Sequence, residues 1–315
     1  MNVGDEGNVV SGICEGRVVV VTGAGRGIGR AHALEFARQG AKVVVNDLGV
    51  ARDGSTDKTS APADAVVAEI RAAGGTAVAN ASDVADWDGA QTLIATTVDT
   101  FGRLDVLVNN AGFLRDRMIA TTSEAEWDAV IRVHLKGHFA PTRHACEHWR
   151  ARAKAGVTAA DIAGRIINTS SGAGILGSVG QGTYSAAKAG IAALTLVEAA
   201  ELGRYGVTAN AIAPAARTRM TEDVFADRMG APVDGFDVND PANISPLVVW
   251  LGSVDSQGVT GRLFEVEGGI VSVADGWRHG PSRDKSARWE PAEIGAVVRE
   301  LLAESPEPEP VYGAS

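Results

Sequence analysis

Short apolar runs alternate with longer amphipathic stretches along most of the chain. The first run, "RVVVVTG" (Arg17 to Gly23), is continuous, β-branched and closed by glycine. A run of this kind predicts a strand buried on both faces, as in a parallel sheet. "IGRAHALEFARQG" follows and predicts a helix stopped by Gly40. "AKVVVND" predicts a second buried strand. Leu48 to Asp64 is polar and turn-rich; it predicts a loop, long for an α/β connection. The alternation then resumes with a helix in "AVVAEIRAAGG", a strand in "TAVANASDV", a helix in "DWDGAQTLIATTVDTFG" and a fourth strand in "RLDVLVNNAG". One long helix is predicted over Ser123 to Arg150, a fifth strand in "GRIINTSS" and a helix over Thr183 to Tyr205. "GVTANAIAP" and "GRLFEVEGG" predict strands six and seven, either side of a short helix in "NISPLVVWLGS".

Strands and helices alternating at this spacing predict an α/β, doubly wound domain: a seven-stranded parallel sheet with helices on both faces. It is expected to span residues 16–275, after an N-terminal tail at 1–15. Residues 276–315 differ in composition. "PAEIGAVVRELLAE" predicts one helix there, and "SPEPEPVYGAS" is an acidic Pro/Glu tail without apolar pattern, expected to lack a fixed conformation.

The chain has 315 residues, a net charge of −10 and a pI of about 5.1. That balance speaks against an ordinary nucleic-acid binder, which would carry a basic face. The two cysteines, Cys14 and Cys146, form no metal-like or disulfide-like spacing. No metal is expected. The N-terminus lacks a signal-peptide pattern, and no apolar run reaches the roughly 18 residues of a membrane span. A cytoplasmic, reducing location and no membrane span are the expectations.

Candidate chemistry gathers where strands end. "TGAGRGIG" (Thr22 to Gly29) joins the first strand to the first helix and places Gly23, Gly25, Arg26, Gly27, Ile28 and Gly29 there. Glycines allow close backbone approach to a pyrophosphate, and the helix start offers free N–H groups and a positive dipole end. Asp47 ends the second strand, twenty-four residues after Gly23. A carboxylate at that place accepts hydrogen bonds from an adenosine ribose and repels a 2′-phosphate, which favours NAD over NADP. Arg26 pulls the other way, since it could pair with such a phosphate; Asp47 is given the greater weight. Asp83 and Val84 end the third strand, beside the expected adenine. Asn110, Ala111 and Gly112 end the fourth. Tyr184 and Lys188 lie four residues apart in "GTYSAAKAG", on one helix face.

"TGAGRGIG", "NNAG", Ser171 and "YSAAK", in that order, resemble the short-chain dehydrogenase/reductase family over Gly16 to Gly269. The resemblance implies a Rossmann fold, hydride transfer with a nicotinamide, and a homodimer or homotetramer. It implies that Tyr184 is the general base in alcohol oxidation and the acid in ketone reduction. Lys188 would then hold the nicotinamide ribose and favour the phenolate, since a nearby ammonium lowers a phenol's pKa. Ser171, thirteen residues before Tyr184, would bind the reacting oxygen; its neighbour Ser170 does not fit the family spacing. The family's usual Asn in "NLKG" is replaced in "RVHLKG" by His134, which could serve the same proton relay. The usual Pro-Gly after strand six is Pro214-Ala215. Pro214 is expected at the cofactor, in a lid loop whose other contacts the resemblance does not fix.

"VVVNDLG", "RDR", "RVHLKGHF", "RTRMT" and "GWRHG…RW" look like one subgroup, the dehydrogenase unit of peroxisomal multifunctional β-oxidation enzymes, also known for 17β-hydroxysteroid dehydrogenase activity. That narrower resemblance, to about Trp289, implies NAD-dependent oxidation of (3R)-3-hydroxyacyl-CoA to 3-oxoacyl-CoA, with 17β-hydroxysteroids as further substrates in some members. Ending at Ser315, the chain is expected to act alone, with a separate enoyl-CoA hydratase making its substrate. Arg115, Arg117, Arg217 and Arg219 are candidates for the CoA phosphates, or for surface ion pairs. The competing readings are a 3-oxoacyl-carrier-protein reductase, another alcohol dehydrogenase on the same scaffold, and a non-catalytic NAD-binding module.

Overall fold

The computed structural model describes residues 12–49, 61–218, 230, 235–274, 276, 278–307 and 309–313. The expected lid residue Arg219, most of the polar loop at 48–64 and nearly all of the N-terminal tail lie outside the described residues.

Strand β1 (Val18–Thr22) pairs in parallel with β2 (Lys42–Asn46) on one side and β4 (Val106–Asn109) on the other. β3 (Thr76–Asn80) lies beyond β2. β5 (Arg165–Thr169), β6 (Thr208–Ala215) and β7 (Leu263–Glu267) follow beyond β4, all parallel. The β-branched runs form strands because each residue can pack on one of two covered faces. Val19, Val21, Val43 and Val45 join one apolar core, whereas Val20 and Val44 join the other. On the first face lie α1 (Gly27–Arg38), α2 (Ala61–Ala72) and the late helix α9 (Ser245–Gly252). On the second lie α3 (Trp87–Phe101), α5 (Gly137–Lys154) and α8 (Gly182–Leu202). The short helices α4 (Glu124–Ile131), α6 (Ala159–Ile162) and α7 (Gly172–Leu176) fall in the connections, and α10 (Pro291–Glu304) follows the sheet.

Three expectations need correction. The sheet has eight strands, not seven: β8 (Ile270–Ala274) runs antiparallel to β7 at the edge. Gly268 and Gly269 let the chain double back there, where a Gly-Gly pair after an apolar run otherwise predicts the end of the sheet. The long helix over Ser123 to Arg150 is broken. Between α4 and α5, Arg132–Lys136 form a π-helical turn, in which the Gly137 amide donates to the Arg132 carbonyl, five residues back. Pro141 within α5 has no amide to return to the Gly137 carbonyl, so regular pairing fails on both sides of Gly137. The acidic tail does hold a conformation at its far end, where Tyr312 forms a parallel bridge with Ser178. The helix over Pro291–Glu304 has the expected bounds and is largely exposed.

Candidate active site

The sheet order reverses direction between β1 and β4. The loops at the C-terminal strand ends part there and enclose a cavity of about 1170 Å³. Ordinary small-molecule pockets run to about 300–1,000 Å³, so a dinucleotide and a second molecule both have room.

The glycine loop forms the cavity's floor. A Cβ on Gly29 would stand 2.2 Å from the Gly23 carbonyl oxygen and 2.5 Å from Asn110 Nδ2. The start of α1, the end of β1 and the end of β4 therefore meet without a side chain between them. Asn110 braces the junction: its Nδ2 donates to the Thr22 carbonyl at 2.9 Å and the Gly23 carbonyl at 3.2 Å. Helix α1 begins after Arg26 with no side-chain cap. Its first amides therefore remain available to an anion, which fits the pyrophosphate of a nicotinamide dinucleotide. Arg26, Gly27, Ile28 and Gly29 line the cavity, as do Gly23, Val84, Ala111 and Gly112.

Among the candidate cofactor residues, Gly25 alone does not line it. Its amide donates to Asp47 Oδ2 at 2.8 Å, so its part is to position that carboxylate. Asp47 Oδ1 accepts from the Gly49 amide at 2.7 Å. Two amides thus hold the carboxylate at the cavity wall, and each oxygen keeps a lone pair for a ribose hydroxyl. Asp83 also lines the cavity, but Arg132 pairs with its carboxylate at 2.8 Å. Arg132 lies forty-nine residues along the chain from Asp83, so no local pattern in the sequence predicts that pairing.

Ser171, Tyr184, Lys188 and His134 come together in this cavity, with Pro214 on its wall. Ser171 caps α7, its hydroxyl accepting from the Ala173 amide at 3.2 Å. Ser170 is buried, and its hydroxyl donates to the Lys188 carbonyl at 2.8 Å. The two serines are thereby distinguished by geometry as well as spacing. Lys188 Nζ donates to the Thr169 carbonyl at 2.6 Å and stands 5.5 Å from the centre of the Tyr184 ring. Burial lowers its pKa to about 7. Tyr184 is partly open to the cavity, yet burial raises its pKa to about 12, against the opposing effect of the Ser171 hydroxyl. In the chain alone, burial therefore outweighs any lowering by Lys188. The same desolvation that raises the phenol destabilises the ammonium meant to help it.

His134 sits in the π-helical turn, buried, with its ring edge-on to Tyr184 at 5.2 Å. Its Nε2 is 2.7 Å from the Phe113 carbonyl. Burial, and next the charge of Lys188, lower its pKa to about 3, so it is neutral at ordinary pH. A Cβ on Gly112 would come within 2.5 Å of the imidazole, so "NNAG" also makes room for this ring.

Of the candidate arginines, Arg117 pairs with Glu126 at 3.0 Å, Arg217 pairs with Asp237, and Arg115 lies over the Phe113 ring at 5.5 Å. Sequence reasoning missed Phe113, Thr169, Thr218, Glu267 and Tyr312 as cavity residues. Tyr312 carries no local signal, because it lies in the polar tail.

Among the described residues no cluster of potential ligands could hold a metal, and no helix is long and apolar enough to cross a membrane. The profile of the short chain dehydrogenase family matches residues 17–229. A hydroxyacyl-CoA dehydrogenase of Mycobacterium tuberculosis, ChsB1, is 45% identical over 302 residues, covering 95% of this chain and 92% of that protein. The peroxisomal multifunctional enzyme type 2 of Mus musculus is 44% identical over 285 residues, 90% of this chain but only 34% of the mouse protein. A crystal structure of a short chain dehydrogenase from Mycobacterium avium superposes with a TM-score of 0.86 at 64% identity, covering 96% of this chain and all of that one.

Proposed function

This chain belongs to the short-chain dehydrogenase family, and from that premise we propose that it is a NAD-dependent (3R)-3-hydroxyacyl-CoA dehydrogenase. Its membership makes it an oxidoreductase acting on hydroxyl groups with a nicotinamide cofactor. The observation that carries the finer reading is the joint presence of Ser171, Tyr184, Lys188 and Asp47 around one cavity, in a chain aligned almost end to end with a hydroxyacyl-CoA dehydrogenase. 17β-Hydroxysteroids are the second substrate class proposed, and fatty-acid or sterol side-chain β-oxidation the setting. A separate enoyl-CoA hydratase would supply the 3-hydroxyl.

In this reading Ser171 and Tyr184 hold the substrate oxygen between their hydroxyls. Tyr184, as phenolate, takes the hydroxyl proton while the carbinol hydrogen leaves as hydride. NAD, when bound, would supply the hydride acceptor. Lys188 binds the nicotinamide ribose and adds its own charge. His134, neutral, passes the proton on from the Lys188 side. Asp47 would hold the adenosine ribose, and the free amides of α1 would hold the pyrophosphate. The catalytic domain spans 16–275, with 276–315 as an extension. Exposed Phe139 on α5 and Leu196 and Val197 on α8 offer apolar surface for a homodimer or homotetramer.

The test is the initial rate of NADH formation with (3R)- and (3S)-3-hydroxyacyl-CoA and a 17β-hydroxysteroid, each with NAD and NADP. Turnover of the (3R) thioester with NAD is expected. In an Asp47→Asn variant the NADP-to-NAD ratio of kcat/KM should rise about 10- to 100-fold, as a like-charge repulsion is relieved. Native preference for NADP, or no activity on either thioester, sinks the assignment.

The elevated Tyr184 pKa fixes the sign of the pH dependence. Below about 12 the phenol is protonated, so the acid form is ample and the base form is scarce. From about pH 6 to 9, kcat/KM for oxidation should climb while that for ketone reduction stays level or falls. Paired pH profiles in the two directions, in native protein and in Tyr184→Phe, measure this; an oxidative rise with pH that survives in Tyr184→Phe contradicts Tyr184 as the base.

A further inference from the structure

The tail beyond α10 returns to the cavity. The Tyr312 amide donates to the Gly177 carbonyl at 3.3 Å, and its carbonyl accepts from the Val179 amide at 2.8 Å. These bonds fix Tyr312 on the segment joining α7 to α8, where it and Gly313 form part of the cavity wall. The Tyr312 hydroxyl lies 3.0 Å from where a Cβ on Gly172 would stand, and Gly172 directly follows Ser171. A side chain at position 172 would press the hydroxyl away by a few tenths of an ångström. The phenol is 47% exposed, and among the described residues its hydroxyl has no hydrogen-bond partner.

We propose that Tyr312 is a specificity-determining residue that donates a hydrogen bond to a second, uncharged oxygen of the substrate, one placed 1,3 to the reacting hydroxyl. The thioester as source of that oxygen rests on the function proposed above. The geometry places a free donor beside the residue that follows Ser171, and in a 3-hydroxyacyl group the carbonyl carbon lies two carbons from the carbinol carbon. The surroundings decide the charge. Burial and the carboxylates of Glu265, Glu309 and Glu267 all raise the Tyr312 pKa, so the phenol keeps its proton and can donate to an acceptor. Glu267, which lines the cavity, also opposes an anion beside Tyr312, so this end of the chamber suits a thioester or ester carbonyl over the free 3-hydroxy acid.

The experiment compares native protein, Tyr312→Phe and a chain lacking residues 309–315. The substrates are (3R)-3-hydroxybutyryl-CoA, ethyl (R)-3-hydroxybutyrate, free (R)-3-hydroxybutyrate and a secondary alkanol with no second oxygen. NADH affinity, followed by fluorescence, reports on folding. Tyr312→Phe should lower kcat/KM about tenfold on the thioester and the ester, the worth of one neutral hydrogen bond, and leave the alkanol and NADH affinity unchanged. The shortened chain should lose at least as much on the same two substrates. An equal loss on all substrates, no loss on any, or native preference for the free acid overturns the inference. Native activity on the ester without activity on the thioester sinks the CoA assignment while leaving Tyr312 tested. Native inactivity on every 1,3-oxygenated alcohol overturns both.

Discussion

Replacing Tyr184 with Phe should lower kcat by roughly 10²- to 10⁴-fold, the usual contribution of a positioned acid or base. The ring would keep its edge-on contact with His134 and its place against Phe113, Val130 and Ala187. What disappears is one hydroxyl whose ionisation the site already opposes, as the rise of its pKa to about 12 records. NADH affinity and melting temperature should therefore hardly change. That separation is the informative part. Stopped turnover with intact cofactor binding assigns the proton to Tyr184. Residual kcat within a factor of ten of native would move the base elsewhere in the cavity, and a collapse of NADH binding would make the residue structural.

Gly29→Ala carries the largest expected effect on cofactor binding. The added methyl meets the Gly23 carbonyl at 2.2 Å and the Asn110 amide at 2.5 Å, and the first of these is backbone in the turn itself. Relief requires α1 to move away from β1, which displaces the amides expected to hold the pyrophosphate. Overpacking of this kind costs about 1–3 kcal/mol, and NADH affinity should fall at least about tenfold. Gly203→Ala is the control: a Cβ there meets nothing within 4 Å, its φ of −52° is helical, and its melting temperature should match or exceed the native value. Unchanged NADH affinity in Gly29→Ala, measured by fluorescence titration, would show that the helix start does not hold the dinucleotide.

The parts of the site that could be read from sequence are those where chemistry and local order coincide. The glycine loop follows a buried valine run and opens a helix, so its place in the fold is contained in its neighbours. Tyr184 and Lys188 share one helical turn, and Ser171 stands at a strand end. Other features depend on partners far along the chain. Asp83 is bound to Arg132, forty-nine residues later, and no local pattern announces that choice. Arg165 appears polar in "GRIINTSS" yet is fully buried, its guanidinium donating to Ser253, Ser256 and Gln257 near the sheet's end. Tyr312 is separated from Tyr184 by most of the C-terminal half. The π-helical turn was hidden for another reason: apolar residues continue through it at roughly helical spacing, and one added residue per turn barely disturbs that rhythm.

That wide turn bears on how the chain tolerates change. An ordinary helix advances about 100° per residue. Deleting any single residue among Arg132–Lys136 would close the turn to the ordinary pitch and rotate α4 relative to α5 by about that angle. His134 would then leave the ring of Tyr184, or Trp149 would leave the core beneath the sheet. No substitution in the segment has such reach, since each side chain could change while the turn kept its width. Part of this active site is therefore encoded as length. Among related chains, gaps and insertions at this point should carry more functional information than differences in residue type.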